Sequence, residues 1–439
     1  MRSLIALAIL GCILTCTGSC RLMRSEPPSN IRIAFSYHDL SEKDIDFLSR
    51  FDVIITHNFV DGKTLKKLKS GNAKLLSYEW LPAMYFCGDA QGWGKMVYQN
   101  RIFWTLDPDD SGPNPMGEKF GCIDLFYDMA NEELLNARID HLVNAIQSHG
   151  YDGIFFDWGS GWDAFIEYKY DFLTDEFRKR HPDLDYNDKV RAFMKKIKEH
   201  DLLIMLNGGF RSRGAGLNMH ADYDTVESMF TTTDCGNNYH EIYIESEGLQ
   251  KVCDTWFNNA ERAVSLSKQL PDRARAAKAD IPLLFLNYAF PFYEFTGGVV
   301  EIDSKKYAVH KRTEDRQAIF YTMACSYIGN SPGFTNGDDV SLEYVKDNIY
   351  FESLGPPQTD IKKLRDGVYA RFFSRGFAII SNEDIALELA LPGDKKRLYD
   401  LYNQRYVEVM GKVAHIELKS QVYASGLKHP IGRIYRYEH

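Results

Sequence analysis

The stretch GYDGIFFDWGSGWDAF, residues 150–165, decides the reading of the fold. Ile154, Phe155 and Phe156 form an apolar run with no polar alternation, as in a strand covered on both faces of a parallel sheet. Just before it, NEELLNARIDHLVNAIQSHG places Leu134, Leu135, Ile139, Leu142, Val143 and Ile146 at helical spacing. A helix that feeds directly into a buried strand is half of a βα repeat. The strand stops abruptly on Asp157, with Trp158 next to it and Trp162 and Asp163 close behind. A carboxylate at the end of a buried strand loses hydration, so its place needs a reason.

Working outward, the same alternation recurs. Strands are expected at 31–38, 52–57, 73–80, 151–158, 201–209, 223–230 and 281–289, with helical patterns between many of them. The segment AIFYTMACSYIG (318–329) stands at the eighth strand position, although its apolar pattern also suits a helix. Eight βα units predict a (β/α)8 barrel over residues 31–355, a fold of about 250 residues or more. The competitor is a doubly wound open sheet, but the first strand is not followed by a Gly-rich phosphate fingerprint. After GPPQTD (355–360), short alternating runs broken by Gly, Asn or charge predict a small antiparallel β-sandwich over 360–439.

The chain has 439 residues, 44% of them hydrophobic and 26% charged, enough apolar material for a large core. Its net charge of −9 repels nucleic acid, so a nucleic-acid partner is not expected. Met1 and Arg2, the apolar run Leu4 to Leu14 and the small residues after it read as a secretory signal over 1–20. Thr17-Gly18-Ser19-Cys20 resembles a bacterial lipoprotein box, with Thr17 where leucine is usual. Lipidation at Cys20 is expected, with residues 21–30 as a tether and the protein exported and membrane-anchored. Five cysteines follow Cys20 without CxxC spacing, and mostly buried thiols are expected, with room for one bridge.

Barrel active sites lie at the carboxyl ends of the strands. Those ends carry Tyr37 and His38, then Tyr78, Glu79 and Trp80, then Asp157 and Trp158. Asn207, Glu227, Asn287 and Tyr288 follow on later strands. The set lacks an HxH pair and a GxSxG elbow, so no metal or other cofactor is expected and serine hydrolase chemistry is disfavoured. Carboxylates mixed with amides and aromatic rings suit glycoside hydrolysis, which needs two carboxyl groups at the scissile bond and apolar surfaces for the sugar faces. Each residue alone has a plainer reading as a cap, turn or salt-bridge residue. Asp107, Asp109, Ser111, Gly112 and Glu118 match the ligand spacing of an EF-hand loop, but Pro113 and the missing entry helix favour a surface turn.

The segment FGCIDLFYDMANEELLNARIDHLVNAIQSHGYDGIFFDW (120–158) resembles TIM-barrel glycoside hydrolases related to the endo-α-1,4-polygalactosaminidases and the hypothetical glycosyl hydrolase groups. LIMLNGG and DTVESMF are similar to their fifth and sixth strands, and GVYARFFSRGFAIISN to the start of their C-terminal β domain. The resemblance implies a poly- or oligosaccharide substrate. It implies Asp157 as nucleophile or base, Glu227 as general acid, a retaining outcome by analogy, and Asp124 on a loop near the substrate. Glu241, Glu245 and Glu247 stay open as alternatives for the acid. The other class of reading is a non-catalytic carbohydrate-binding lipoprotein on the same scaffold.

Overall fold

The structure is a computed structural model and describes residues 31–36, 40–88, 91–111, 121–211, 216–233, 239–276, 281–329, 335–336, 348–393 and 397–438. The chain opens with β1 (Ile33–Ser36), α1 (Glu42–Leu48), β2 (Val53–Thr56), α2 (Gly62–Leu68) and β3 (Lys74–Trp80). Ser41 and Asp44 form the capping box that starts α1, and Asp61 caps α2. A hairpin of β4 (Ala83–Cys87) and β5 (Cys122–Phe126), with α3 (Gly92–Trp104) between its strands, follows β3. Next come α4 (Glu132–Ser148), β6 (Gly153–Asp157), α5 (Trp162–Glu167), α6 (Asp171–Arg180), α7 (Tyr186–Lys198), β7 (Leu203–Asn207) and β8 (Tyr223–Glu227).

An insertion then supplies β9 (Thr231–Thr233), β10 (His240–Ile244), β11 (Gly248–Val252) and β12 (Thr255–Phe257), before α8 (Ala260–Ala276) and β13 (Leu283–Asn287). A long hairpin, β14 (Phe292–Ile302) and β15 (Lys305–Thr313), joins β10 and β11 in a separate four-stranded sheet. The segment 318–329 is not the eighth strand. It lies inside α9 (Arg316–Gly329), and the eighth strand is the short β16 (Thr335–Asn336). The physical reason is burial on all sides: Ala318 to Ser326 are all buried because α9 lies between the barrel and the C-terminal sheet. Such a helix is apolar all round and mimics a buried strand in sequence.

The main sheet has the order β1-β2-β3-β6-β7-β8-β13-β16, every neighbour pair parallel, and β16 returns beside β1. Together with the C-terminal sheet this is a (β/α)8 barrel followed by an antiparallel β-sandwich. Phe35, Val53, Ile55, Leu76, Phe155, Met205, Leu284 and Leu286 fill the barrel interior as a cluster of their own. The alternate residues face the helices; Phe156, for example, packs on Phe193 of α7.

The C-terminal sheet contains β17 (Lys362–Arg365), β18 (Val368–Phe373), β19 (Gly376–Ser381) and β20 (Ile385–Ala390). It continues with β21 (Arg397–Asp400), β22 (Arg405–Met410), β23 (Val413–Leu418) and β24 (Ile431–Glu438). Its order is β17-β18-β19-β24-β21-β22-β23-β20, all antiparallel. The cysteines depart from expectation: Cys87 and Cys122 form a disulfide, Cys253 is also disulfide-bonded, and Cys325 is a free buried thiol. Among the described residues no helix is long and apolar enough to cross a membrane. Asp107, from the acidic loop, accepts a hydrogen bond from Ser111 at 2.8 Å, and Gly112 to Glu118 lie outside the described residues.

Asp224 and Asp315, two of the carboxyl groups that burial raises, make stability depend on pH. Burial pushes Asp224 up to about 7 and Asp315 up to about 6, against hydrogen bonds that pull the other way. Above about pH 7 both are ionised in the folded and unfolded chain, and the fold bears the full desolvation penalty. As pH falls towards 4, the folded chain binds these protons before the unfolded chain does, so stability rises. Urea unfolding should therefore show a more stable protein at about pH 5.5 than at about pH 8, by on the order of 1–3 kcal/mol. Asp224→Asn should flatten that slope.

Candidate active site

Side-chain parity builds the site. Two residues beyond each interior apolar residue comes a polar one: Tyr78 after Leu76, Asp157 after Phe155, Asn207 after Met205 and Tyr288 after Leu286. Glu227 ends β8 in the same layer. Successive inward positions stack along a barrel strand, so these five side chains form the uppermost interior layer, at the carboxyl end.

The hydrogen bonds of this layer are continuous. Tyr78 Oη donates to Asp157 Oδ2 at 2.8 Å. Asp157 Oδ1 accepts from its neighbour's amide, Trp158 N, at 2.8 Å and from Asn207 Nδ2 at 2.9 Å. The same Asn207 nitrogen donates to Glu227 Oε2 at 2.6 Å, and Tyr288 Oη donates to Glu227 Oε1. One amide nitrogen thus spans both carboxylates, and its two bonds cap the separation of the bridged oxygens at about 5.5 Å, the upper end of the roughly 5–5.5 Å pair distance of one hydrolytic geometry. Each carboxylate also has its own tyrosine.

The backbone has the same device at all three strand ends. Trp158 after Asp157 has φ 55°, Gly208 after Asn207 has φ 79°, and Ser228 after Glu227 has φ 52°. Left-handed backbone costs a non-glycine residue roughly 1–2 kcal/mol. Two such residues stand directly after a carboxylate in one cleft, so backbone strain is concentrated there. Each turn stops the strand at once and leaves the preceding side chain at the rim. Behind Asn207, buried Asp224 accepts from the Gly209 and Phe210 amides at 2.9 and 2.7 Å and from Asn218 Nδ2 at 3.0 Å, which fixes the loop that follows.

Asp157, Asn207 and Glu227 line a cleft of about 140 Å³ with Trp158, Ser160, Glu167, Tyr168 and Ser228. Among the described residues the lining contains three carboxylates and no lysine or arginine. Trp158 itself is only 6% exposed. Tyr168 stacks flat on it at 4.2 Å, and Trp80 meets it edge-on at 5.2 Å. Among the described residues here, the accessible rings are therefore Tyr168, 44% exposed, and Tyr85, 37% exposed, which packs on Trp80. Trp162 turns into the helix layer against Phe177 and Tyr186.

Several strand-end residues stand elsewhere. Glu79 has the opposite parity to Tyr78: it pairs in register with Phe156 and lies near Arg138 on the helix side, where burial pushes it up to about 7 against the pull of that guanidinium. Asn287 is likewise outside the interior layer, and its Oδ1 accepts from Phe230 N at 2.7 Å. Asp124 is fully buried on β5, opposite Tyr85, with Tyr170 Oη at 3.4 Å. It is not among the described residues that line the cleft, although it and Asp157 both act on the Tyr85 hydroxyl. Glu241, Glu245 and Glu247 lie on the inserted sheet and its turn; Glu247 pairs with Arg312 at 2.7 Å, and none of the three lines the cleft. Tyr37, His38 and Cys20 lie outside the described residues.

Glu167, Tyr168 and Ser160 were not singled out from the sequence. They come from the turn after β6 and the short α5, and no spacing rule points to them. Tyr78 had a usable signal, its parity with Leu76. Among the described residues no group of three or more His, Cys, Asp or Glu is arranged to hold a metal.

No family model and no curated protein sequence matches the chain. Solved structures do. The glycoside hydrolase domain of PelA from Pseudomonas aeruginosa is similar over 72% of this chain and 96% of its own, with 14% identity and a TM-score of 0.43. The noncanonic maltogenic α-amylase AmyB from Thermotoga neapolitana is similar over 94% of this chain and 100% of its own, with 11% identity and a TM-score of 0.48. An α-amylase from Lactobacillus plantarum is similar over 93% and 99%, with 12% identity and a TM-score of 0.45.

Proposed function

We propose that the protein is a glycoside hydrolase that cuts a poly- or oligosaccharide with Asp157 as nucleophile and Glu227 as general acid and base. The observation that carries this reading is the single Asn207 amide donating to both carboxylates at the mouth of the barrel. A pair held this close supports the retaining course, which uses carboxyl groups roughly 5–5.5 Å apart, over the inverting course, which needs roughly 6.5–9.5 Å to admit a water.

In the first step Asp157 Oδ2, which accepts from Tyr78, attacks the anomeric carbon. The bond to the leaving oxygen breaks, its electron pair goes to that oxygen, and Glu227 supplies the proton. In the second step Glu227 takes a proton from water, the water oxygen bonds to the anomeric carbon, and the Asp157 ester opens. Asn207 stays bound to both carboxylates and keeps them in register. The cleft is well below the roughly 300–1,000 Å³ of sites that enclose a ligand, which suits a long chain lying mostly outside it. Proton NMR of the first product should show the anomeric configuration of the substrate; the opposite configuration would rule out Asp157 as nucleophile.

Tyr168 is the exposed ring at the rim and serves as the stacking surface for a sugar. Tyr168→Ala should raise KM about 3–10-fold with little change in kcat, the equivalent of roughly 0.5–1.5 kcal/mol of ring contact. We also propose export with a lipid on Cys20. The Cys87–Cys122 disulfide supports an oxidising compartment. Cys20→Ser should move the protein from the detergent-extracted membrane fraction to the soluble one.

A further inference from the structure

The C-terminal sandwich has an opening of its own. β22 pairs with β21 from Asp400↔Arg405 to Arg397↔Glu408, but with β23 only at Val409↔Ala414 and Met410↔Val413. Beyond those two pairs the strands separate, because the first half of β22 follows β21 while β23 stays with β20. Residues 405–407 then face residues 415–417 across a groove of about 510 Å³, floored by the core residues Ile416 and Tyr435. That volume lies within the range of ligand sites.

The groove has a fixed aromatic platform. Tyr406 is 59% exposed, yet its ring is held by the edge of Tyr399 at 5.2 Å and by the Arg397 guanidinium, 5.5 Å from its centre. Most ionic groups of the walls have a neighbour of opposite sign within the protein; the Arg405 guanidinium, on the lining, acts on the Glu417 carboxylate. Glu388 faces His415 at 3.6 Å, and Glu417 faces Lys419 at 2.8 Å. Asp400 accepts from the amides of Tyr402 and Asn403 and from Asn403 Nδ2. An ordered, exposed ring beside charges that already have partners favours a ligand with apolar faces and hydroxyl groups over one with a strong charge.

We propose that this groove binds an uncharged stretch of polysaccharide and holds the polymer that the barrel cuts. The second half of that statement rests on the hydrolase reading. A second contact on one polymer raises the local concentration of scissile bonds at the barrel, so the gain appears on long chains and is absent on short ones.

The test is affinity electrophoresis of the mature chain carrying Asp157→Asn, which leaves polymer in the gel intact. Gels are cast with starch, xylan, mixed-linkage β-glucan or dextran, and with chitosan or polygalacturonate as charged comparators. At least one uncharged polymer should slow the protein, and Tyr406→Ala should weaken that retardation at least 5-fold while Tyr406→Phe preserves it. Tyr406 is exposed, so its loss should leave the melting temperature in place, and Ala386→Arg, at an exposed position on the groove lining, gives an independent second variant. Retardation that ignores both variants, occurs only with charged polymers, or is absent from all six gels overturns the proposal. Binding of a strand-forming peptide, lost in Tyr406→Ala, without any polysaccharide retardation also overturns it. If the wild-type chain hydrolyses none of these polymers while Tyr406-dependent retardation persists, the barrel reading fails and the groove assignment stands.

Discussion

Asp157→Asn should abolish turnover while substrate affinity and melting temperature stay close to those of the wild type. Asparagine has the same size; with its oxygen in the place of Oδ1 it still accepts from Trp158 N and Asn207 Nδ2, and its amide nitrogen, in the place of Oδ2, donates to the Tyr78 hydroxyl oxygen. It has no charge to attack an anomeric carbon, so no covalent intermediate forms. The loss should exceed the roughly 10²–10⁴-fold attributed to a general acid or base. Glu227→Gln should behave differently. Its cost should lie within that roughly 10²–10⁴-fold range on natural linkages, and it should shrink sharply on an aryl glycoside whose leaving group needs no proton. Asp157→Asn should show no such recovery. The contrast separates the two roles and is read from kcat/KM on two substrates for each variant.

Gly432→Val should produce a large loss of stability. Gly432 lies on β24 where that strand crosses α9, and a Cβ placed there would stand 2.4 Å from Tyr321 Cα and 2.6 Å from Phe320 O. Both obstructing atoms belong to the helix backbone and cannot swing away. The same contact surface carries Gln317, bonded to Ser420 and to the His429 and Pro430 carbonyls, and buried Asp315, bonded to Tyr423. Separating β24 from α9 would strain this whole network. Overpacking of a core typically costs about 1–3 kcal/mol, and a backbone obstruction belongs at or above the upper end. Denaturant unfolding should show a drop of about 3 kcal/mol or more, or loss of the cooperative transition; a variant as stable as the wild type would show that the two layers can part freely.

The barrel was legible because its inner strands are short apolar runs that end on polar residues. Parallel strands covered on both faces leave that signature, and Ile154 to Asp157 shows it most plainly. The strand-end rule also placed Asp157, Asn207, Glu227 and Tyr288 in one region, where the structure connects them by hydrogen bonds. The rule failed where parity was ignored. Glu79 and Asn287 are one residue out of phase with the interior and face the helices, whereas Tyr78 is in phase and touches Asp157. Trp158 does line the cleft, but Tyr168, just after the next helix, stacks on it, and nothing in the local spacing foretells that stack. The 318–329 segment misled for a different reason: a helix buried on every side loses the polar stripe that distinguishes it from a strand. The disulfide at Cys87–Cys122 depends on a cross-strand register 35 residues apart, which spacing alone does not reveal.

The most direct test of the two-carboxylate account is release of new reducing ends from a panel of polysaccharides by three proteins: the wild type, Asp157→Asn and Glu227→Gln. The account predicts release from at least one polymer by the wild type, none by Asp157→Asn, and a rate reduced by roughly 10²–10⁴-fold for Glu227→Gln. Undiminished release by either variant, or no release by the wild type from any polymer, would contradict it.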